Sequence, residues 1–216
     1  MNKRGLTKPM KRKLITILAT IFCCGLTGSG QTPPGPPSPP PREVVERLWA
    51  MATRGELLTS EGWERASALF TVPQPRPTNK PLLVVSNYYG INLASVEGNR
   101  AEVQMEYTDC GRIDSALRYS PPQNAQTYKT SFGYHLVLVP TYLMMYGSDG
   151  KTLVEKKPTG GTTWQIDGPQ TEGPPPMPWT TVNTAIRYVL ETRDKTSDPT
   201  IRKNADRTLA ILMTMH

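Results

Sequence analysis

The stretch Asn99-Arg-Ala-Glu-Val-Gln-Met-Glu-Tyr-Thr108 sets Ala101, Val103, Met105 and Tyr107 against Glu102, Gln104, Glu106 and Thr108 in strict alternation. Successive side chains of a β-strand point to opposite faces, so this is a strand with one apolar and one wet face. A slip of one residue would bury two glutamates, which specifies the register. The turn chemistry of Glu97-Gly98-Asn99 joins it to a preceding strand, Tyr88 to Val96, in which Gly90 reads as a bulge. Leu82 to Val85 is a further strand or edge segment. Downstream, Tyr128 to Val139 is a long strand that Pro140 ends or confines to an edge. Thr141 to Tyr146, Lys151 to Lys156 and Thr162 to Asp167 complete a β-rich half.

Helical periodicity brackets these strands. Val44, Val45, Leu48 and Ala52 recur at helical spacing over Arg42 to Arg54, with Gly55 to close the helix. A second helix is expected from Glu61 to Phe70 with Ser60 as its N-cap, before Pro73, Pro75 and Pro77 forbid continuation. Near the end, Thr181 to Arg193 carries the stripe Val182, Ala185, Ile186, Val189 and Leu190. Asp198-Pro199 then starts a last helix bearing Ile201, Ala205, Leu209, Leu212 and Met215.

The 216 residues have a formal charge of +7, which at first suggests an acidic partner. Six of the 25 bases, Lys3, Arg4, Lys8, Lys11, Arg12 and Lys13, lie in the first 30 residues, which hold no acid; the remaining 19 face 18 acids. A charge near +1 gives no footprint for nucleic acid or an anionic membrane surface. The six cations precede the apolar run Leu14 to Leu26 and then Gly28-Ser29-Gly30, the arrangement of a secretory signal peptide. At 13 residues the run falls short of the roughly 20 that span a bilayer. An uncleaved N-terminal anchor, or lipid attachment at Cys23 or Cys24, stays open as an alternative. The expected address is the periplasm or the extracellular space.

Gln31 to Pro41 holds seven prolines in eleven residues, a stiff tether with no core of its own. A single globular domain is expected from 42 to 216, made of a part at 42–168, a proline-rich connector at 169–179 and helices at 180–216. With the first 30 residues removed, Cys110 is the sole cysteine, so no disulfide within the chain is available.

Two amphipathic helices followed by a sheet with the hairpin Val96-Glu-Gly-Asn-Arg-Ala-Glu-Val103 and the end Trp164-Gln-Ile-Asp167 resemble the nuclear transport factor 2-like (cystatin-like, ketosteroid-isomerase-like) superfamily over roughly Arg42 to Asp167. The resemblance implies an α+β cone in which N-terminal helices are packed in a curved antiparallel sheet around a pocket, with two extra C-terminal helices that could cap it. It implies that Glu102, Gln104 and Glu106 look into the cavity as candidate ligand-binding residues. Enzymes of that family use an acid or a histidine in the cone.

His135 is the one candidate general base, because imidazole titrates near neutral pH; the other histidine is the terminal His216. The plainer reading is a hydrogen-bonded or surface histidine. Asp109, Asp114 and Asp167 sit at strand ends, where aspartate ordinarily bonds its own backbone. Gly150-Lys151-Thr152 lacks the glycine a phosphate loop requires, since Met145 stands there, and reads as a hairpin turn. No Gly-x-Ser-x-Gly elbow or metal-ligand spacing is present, so no metal or cofactor is expected. The sequence supports a non-catalytic binding or interaction module, with a small cone-pocket enzyme or a structural envelope protein as alternatives. Expected partners are a small apolar or amphipathic ligand or another envelope protein, with a homodimer left open. If export is followed by cleavage, mass spectrometry of the protein from its host will show a new N-terminus near Gln31; an intact Met1 in the envelope fraction would mean a retained anchor.

Overall fold

A computed structural model describes residues 38–77, 81–122, 129–146, 148–150, 152–168 and 178–215. All of them fall in the compact unit Pro33–His216. The expected signal peptide and most of the proline-rich linker and connector lie outside the described residues, as do Cys23, Cys24 and His216.

Helix α1 (Pro41–Thr53) begins with proline in its first turn and stops where Gly55 takes φ +80°. Helix α2 (Ser60–Ser67) is capped by Thr59, not Ser60, whose hydroxyl accepts from the Gly62 amide at 3.1 Å. Among the described residues six strands follow: β1 (Leu82–Glu97), β2 (Arg100–Ile113), β3 (Tyr119–Ser120), β4 (Thr130–Tyr146), β5 (Leu153–Ile166) and β6 (Trp179–Thr181). Helices α3 (Val182–Lys195) and α4 (Pro199–Met213) close the chain, α4 being capped by Asp198 on the Thr200 and Ile201 amides.

The sheet order is β5-β4-β2-β1-β6, with β3 against the end of β2. This corrects the expected class. The sheet is mixed, because β6 runs parallel to β1, and the N-terminal helices are short and not enclosed in an antiparallel cone. The alternation of the organising strand is present in space: Ala101, Val103, Met105 and Tyr107 are buried while Glu106 is exposed. These join Val45, Leu48 and Trp49 of α1 in a first core.

β1 shows why a cone is not formed. Leu83 and Val85 enter that first core, whereas Leu82 and Val84 enter a second one with Val182, Val189, Leu209 and Leu212 of the C-terminal helices. Adjacent strand residues point to opposite faces, so both faces of the sheet are covered here and the local sequence is a continuous apolar run. The C-terminal helices therefore complete a second layer; they do not lid the first.

The strand also runs past Thr108, through a bulge. Leu83 pairs with Arg112 but Val85 with Asp109, so β2 carries one extra residue at Cys110–Gly111. The bulge swaps the faces, and Ile113 lands in the second core although it shares parity with Tyr107. Gly111 has φ +105°, and a Cβ on it would lie 2.5 Å from the Ser120 carbonyl oxygen, so glycine is required. Gly90, by contrast, is regularly paired with Glu106; the irregularities of β1 lie between Val85 and Tyr89 and between Leu93 and Ser95.

Two further strand boundaries differ from the sequence reading. β4 does not end at Pro140; of the two outcomes expected, the proline is confined to an edge, since pairing with β2 stops at Val137 and β5 is its one strand neighbour among the described residues. Residues 153–166 form one strand, with Pro158 and Thr162 flanking a register shift.

Val103 is fully buried, so Val103→Asp should cost on the order of 3 kcal/mol or more in urea unfolding. Glu106→Gln on the exposed face should stay within about 0.5 kcal/mol. Equal losses would show that both faces of β2 are packed here.

Candidate functional site

The polar face of the sheet gathers residues that are far apart in sequence. Glu102 of β2 is paired with His135 of β4, and the Asp167 amide donates to the His135 carbonyl at 2.8 Å from just beyond β5. Residues directly opposite across strands share a face, so a carboxylate stands beside the imidazole position, which sequence reasoning had no means to detect. The Gln104 amide donates to the Glu102 carboxylate. Gly133 makes room for it, because a Cβ there would sit 2.6 Å from Glu102 Oε1.

This row lies on an open face. His135 and Glu106 are exposed, and Glu102 and Gln104 are half-buried. Described residues form an apolar-walled cleft of about 490 Å³ at Trp63, Pro73 and Pro75, and a surface cleft of about 520 Å³ between Arg193, Asp194, Arg202 and Asp206. Neither is lined by His135, Glu102, Gln104 or Glu106. Among the described residues no group of three or more His, Cys, Asp or Glu side chains is placed to hold a metal ion.

The aspartates have structural work, local for Asp109 and Asp114 and long-range for Asp167. Asp109 fixes the β2 bulge, accepting from the Gly111 amide at 2.8 Å and from Arg112 Nη1 at 3.0 and 3.1 Å. Asp114 accepts from the amides of Ala116 and Arg118, each at 2.9 Å, and from Arg118 Nε at 2.8 Å. Burial pushes its pKa up, but these hydrogen bonds outweigh that and leave it below the usual carboxylate range. Asp167 Oδ1 accepts from the Thr71 hydroxyl at 3.4 Å, tying the strand end to the segment after α2. At the Gly150-Lys151-Thr152 turn, Asp149 accepts from the Thr152 amide at 2.9 Å, as expected of a hairpin turn; Lys151 lies outside the described residues.

The tyrosines divide into two populations. Tyr107 and Tyr134 are buried, Tyr134 accepting from Trp49 Nε1 at 3.2 Å, and burial raises the pKa of both. Trp49 is the hub of an aromatic cluster, with ring centroids 4.0 Å from Trp179 and 4.8 Å from Tyr89. Tyr142 and Tyr146 belong to the second, exposed population, and they mark the feature that sequence reasoning missed. Past Val137, β5 is the one strand partner of β4 among the described residues, and the two continue as a two-stranded ribbon. Tyr142, Leu143, Met144, Met145 and Tyr146 are 42–56% exposed on it, and opposite them Leu153 and Val154 are 48% and 68% exposed. Strand propensity announced these residues; a signal for their exposure was the pair Pro140 and Pro158, which fit strand edges better than strand interiors.

No family model, curated protein or solved structure matches this chain. Among the described residues no helix is long and apolar enough to cross a membrane.

Cys110 packs half-buried against the second core, and burial, helped by Asp109, pushes its thiol up to about 11. The thiolate is the reactive form. Alkylation at neutral pH, with Cys23 and Cys24 replaced by serine, should therefore run about 100-fold slower in the folded protein than in urea; equal rates would place the thiol in an open, activated setting.

Proposed function

We propose that this protein is an exported, non-catalytic interaction module that holds a protein partner outside the cytoplasm through the β4–β5 ribbon. One observation carries the reading: a run of five large apolar side chains, Tyr142 to Tyr146, is exposed on a ribbon that no third strand among the described residues backs. A free two-stranded hairpin is marginal in water, and because successive side chains alternate, both faces of this one carry exposed apolar groups of the kind that mark interaction sites. Tyrosine and methionine suit the task, since one offers an apolar body with a polar tip and the other an adaptable thioether. The ribbon keeps itself soluble with Lys156, whose ammonium lies 4.0 Å above the Tyr142 ring, and with the Glu155–Lys157 pair at 3.2 Å.

The N-terminal cationic and apolar segments support export, and the proline-rich stretch supports a spacer role. Enzymatic use of His135 has less support, because the residue stands on an exposed face where water screens charge and competes for every hydrogen bond.

A photo-crosslinking amino acid at position 143 or 154, installed in the native host, should give adducts of discrete mass. The same group at position 106 should give none. Leu143→Ser with Met145→Ser should abolish capture at position 154 while leaving the melting temperature within a few degrees. Absence of adducts at both ribbon positions would overturn the proposal.

A further inference from the structure

The β5 and β1 edges at the two ends of the strand order are built differently. β5 presents Glu155, Lys156, Lys157 and Pro158 along its free edge. Charge, lysine and proline are the devices that stop another strand from adding on. β1 lies at the other side. β6 pairs with it over Leu83 to Val85 alone, and among the described residues no strand covers its outer edge beyond that point. From Ser86 to Val96 this edge contains no charged residue and no proline.

Between its two irregularities β1 has a regular window, Tyr89 to Leu93. Tyr89, Ile91 and Leu93 pair with Tyr107, Met105 and Val103 and so share the face of the first core. Ile91 is 7% exposed, but Tyr89 and Leu93 remain 37% and 46% exposed at the rim. Gly90 occupies the other face with ordinary backbone angles, and a Cβ there would meet nothing within 4 Å. Nothing among the described residues requires a glycine at that point. A glycine in a strand interior often marks a place where another backbone comes close.

We propose that a second copy of this chain pairs with β1 across this edge, antiparallel and two-fold symmetric about Ile91. The window is self-complementary in that register, as a two-fold contact demands. Ile91 meets Ile91 of the second copy, and Tyr89 meets Leu93, an aromatic–aliphatic pair on the core face. Gly90 meets Asn92 on the polar face, where the missing Cβ leaves room for the amide. No like charges are brought together, and the pairing joins two six-stranded sheets into one. The window is short, so the dimer is a concentration-dependent one, formed without the β4–β5 ribbon.

Sedimentation of the purified full-length chain tests this. The expected result is a monomer–dimer equilibrium whose dissociation constant rises at least about tenfold with Leu93→Lys and is unchanged by Leu153→Lys on the ribbon. In the wild-type protein, amide exchange of Tyr88 to Leu93 should slow as concentration rises, a readout that holds even if Leu93→Lys fails to fold. A chain that stays monomeric with concentration-independent exchange would overturn the proposal. So would a dimer that survives Leu93→Lys and is lost with Leu153→Lys.

Discussion

Four consecutive apolar side chains, Leu82 to Val85, cannot all be buried on one face of a strand. The molecule resolves this by covering both faces, with α1 behind Leu83 and Val85 and the C-terminal helices behind Leu82 and Val84. Fully burying such side chains is worth roughly 1.5–3 kcal/mol each, and neither layer alone captures more than half of it. The rest of the architecture follows from that division. β6 runs parallel to β1 and leads straight into α3, while the Cys110–Gly111 bulge turns Ile113 toward the same second core.

Polar atoms trapped by the two layers are satisfied from neighbouring elements. The buried Thr180 hydroxyl donates to the Ala52 carbonyl at 2.8 Å, joining β6 to the end of α1. The buried Thr208 hydroxyl donates to the Leu117 carbonyl at 2.7 Å, and Asn204 Nδ2 to that of Ala116 at 3.0 Å. Leu117 stands at φ +57°, a conformation that L-residues rarely adopt. Its side chain is 1% exposed in the second core, so packing, the Asp114 turn and the two bonds from α4 together hold it there.

The sheet margins differ in chemistry. The ribbon exposes apolar side chains on its faces yet guards its β5 edge with charge and proline, which favours side-chain contact over strand addition. The β1 edge differs: it exposes Tyr88, Tyr89, Leu93 and Val96, and no charge or proline guards its backbone from Ser86 to Val96. The polar row of Glu102, Gln104 and His135 lies on the sheet between these margins.

Local periodicity alone determined a good deal. The alternation from Ala101 to Thr108, the two-residue turn at Gly98-Asn99, the stripes Val44 to Ala52, Val182 to Val189 and Ala205 to Leu212 and the Asp198 cap each depend on neighbours a few residues away, whereas Met215, expected in the last stripe, is exposed beyond the end of α4. The expected class was wrong for the opposite reason. A period shows which side chains seek burial but not which element covers them, so the run Leu82 to Val85 could not tell a sheet covered on two faces from an edge segment. Bulges depend on the register of a partner strand, which is why one was expected at Gly90 and found at Gly111. The neighbours of His135 and the exposure of Tyr142 to Tyr146 turn on where β2 stops beside β4. That is settled by contacts between residues tens of positions apart, and only the folded chain makes them.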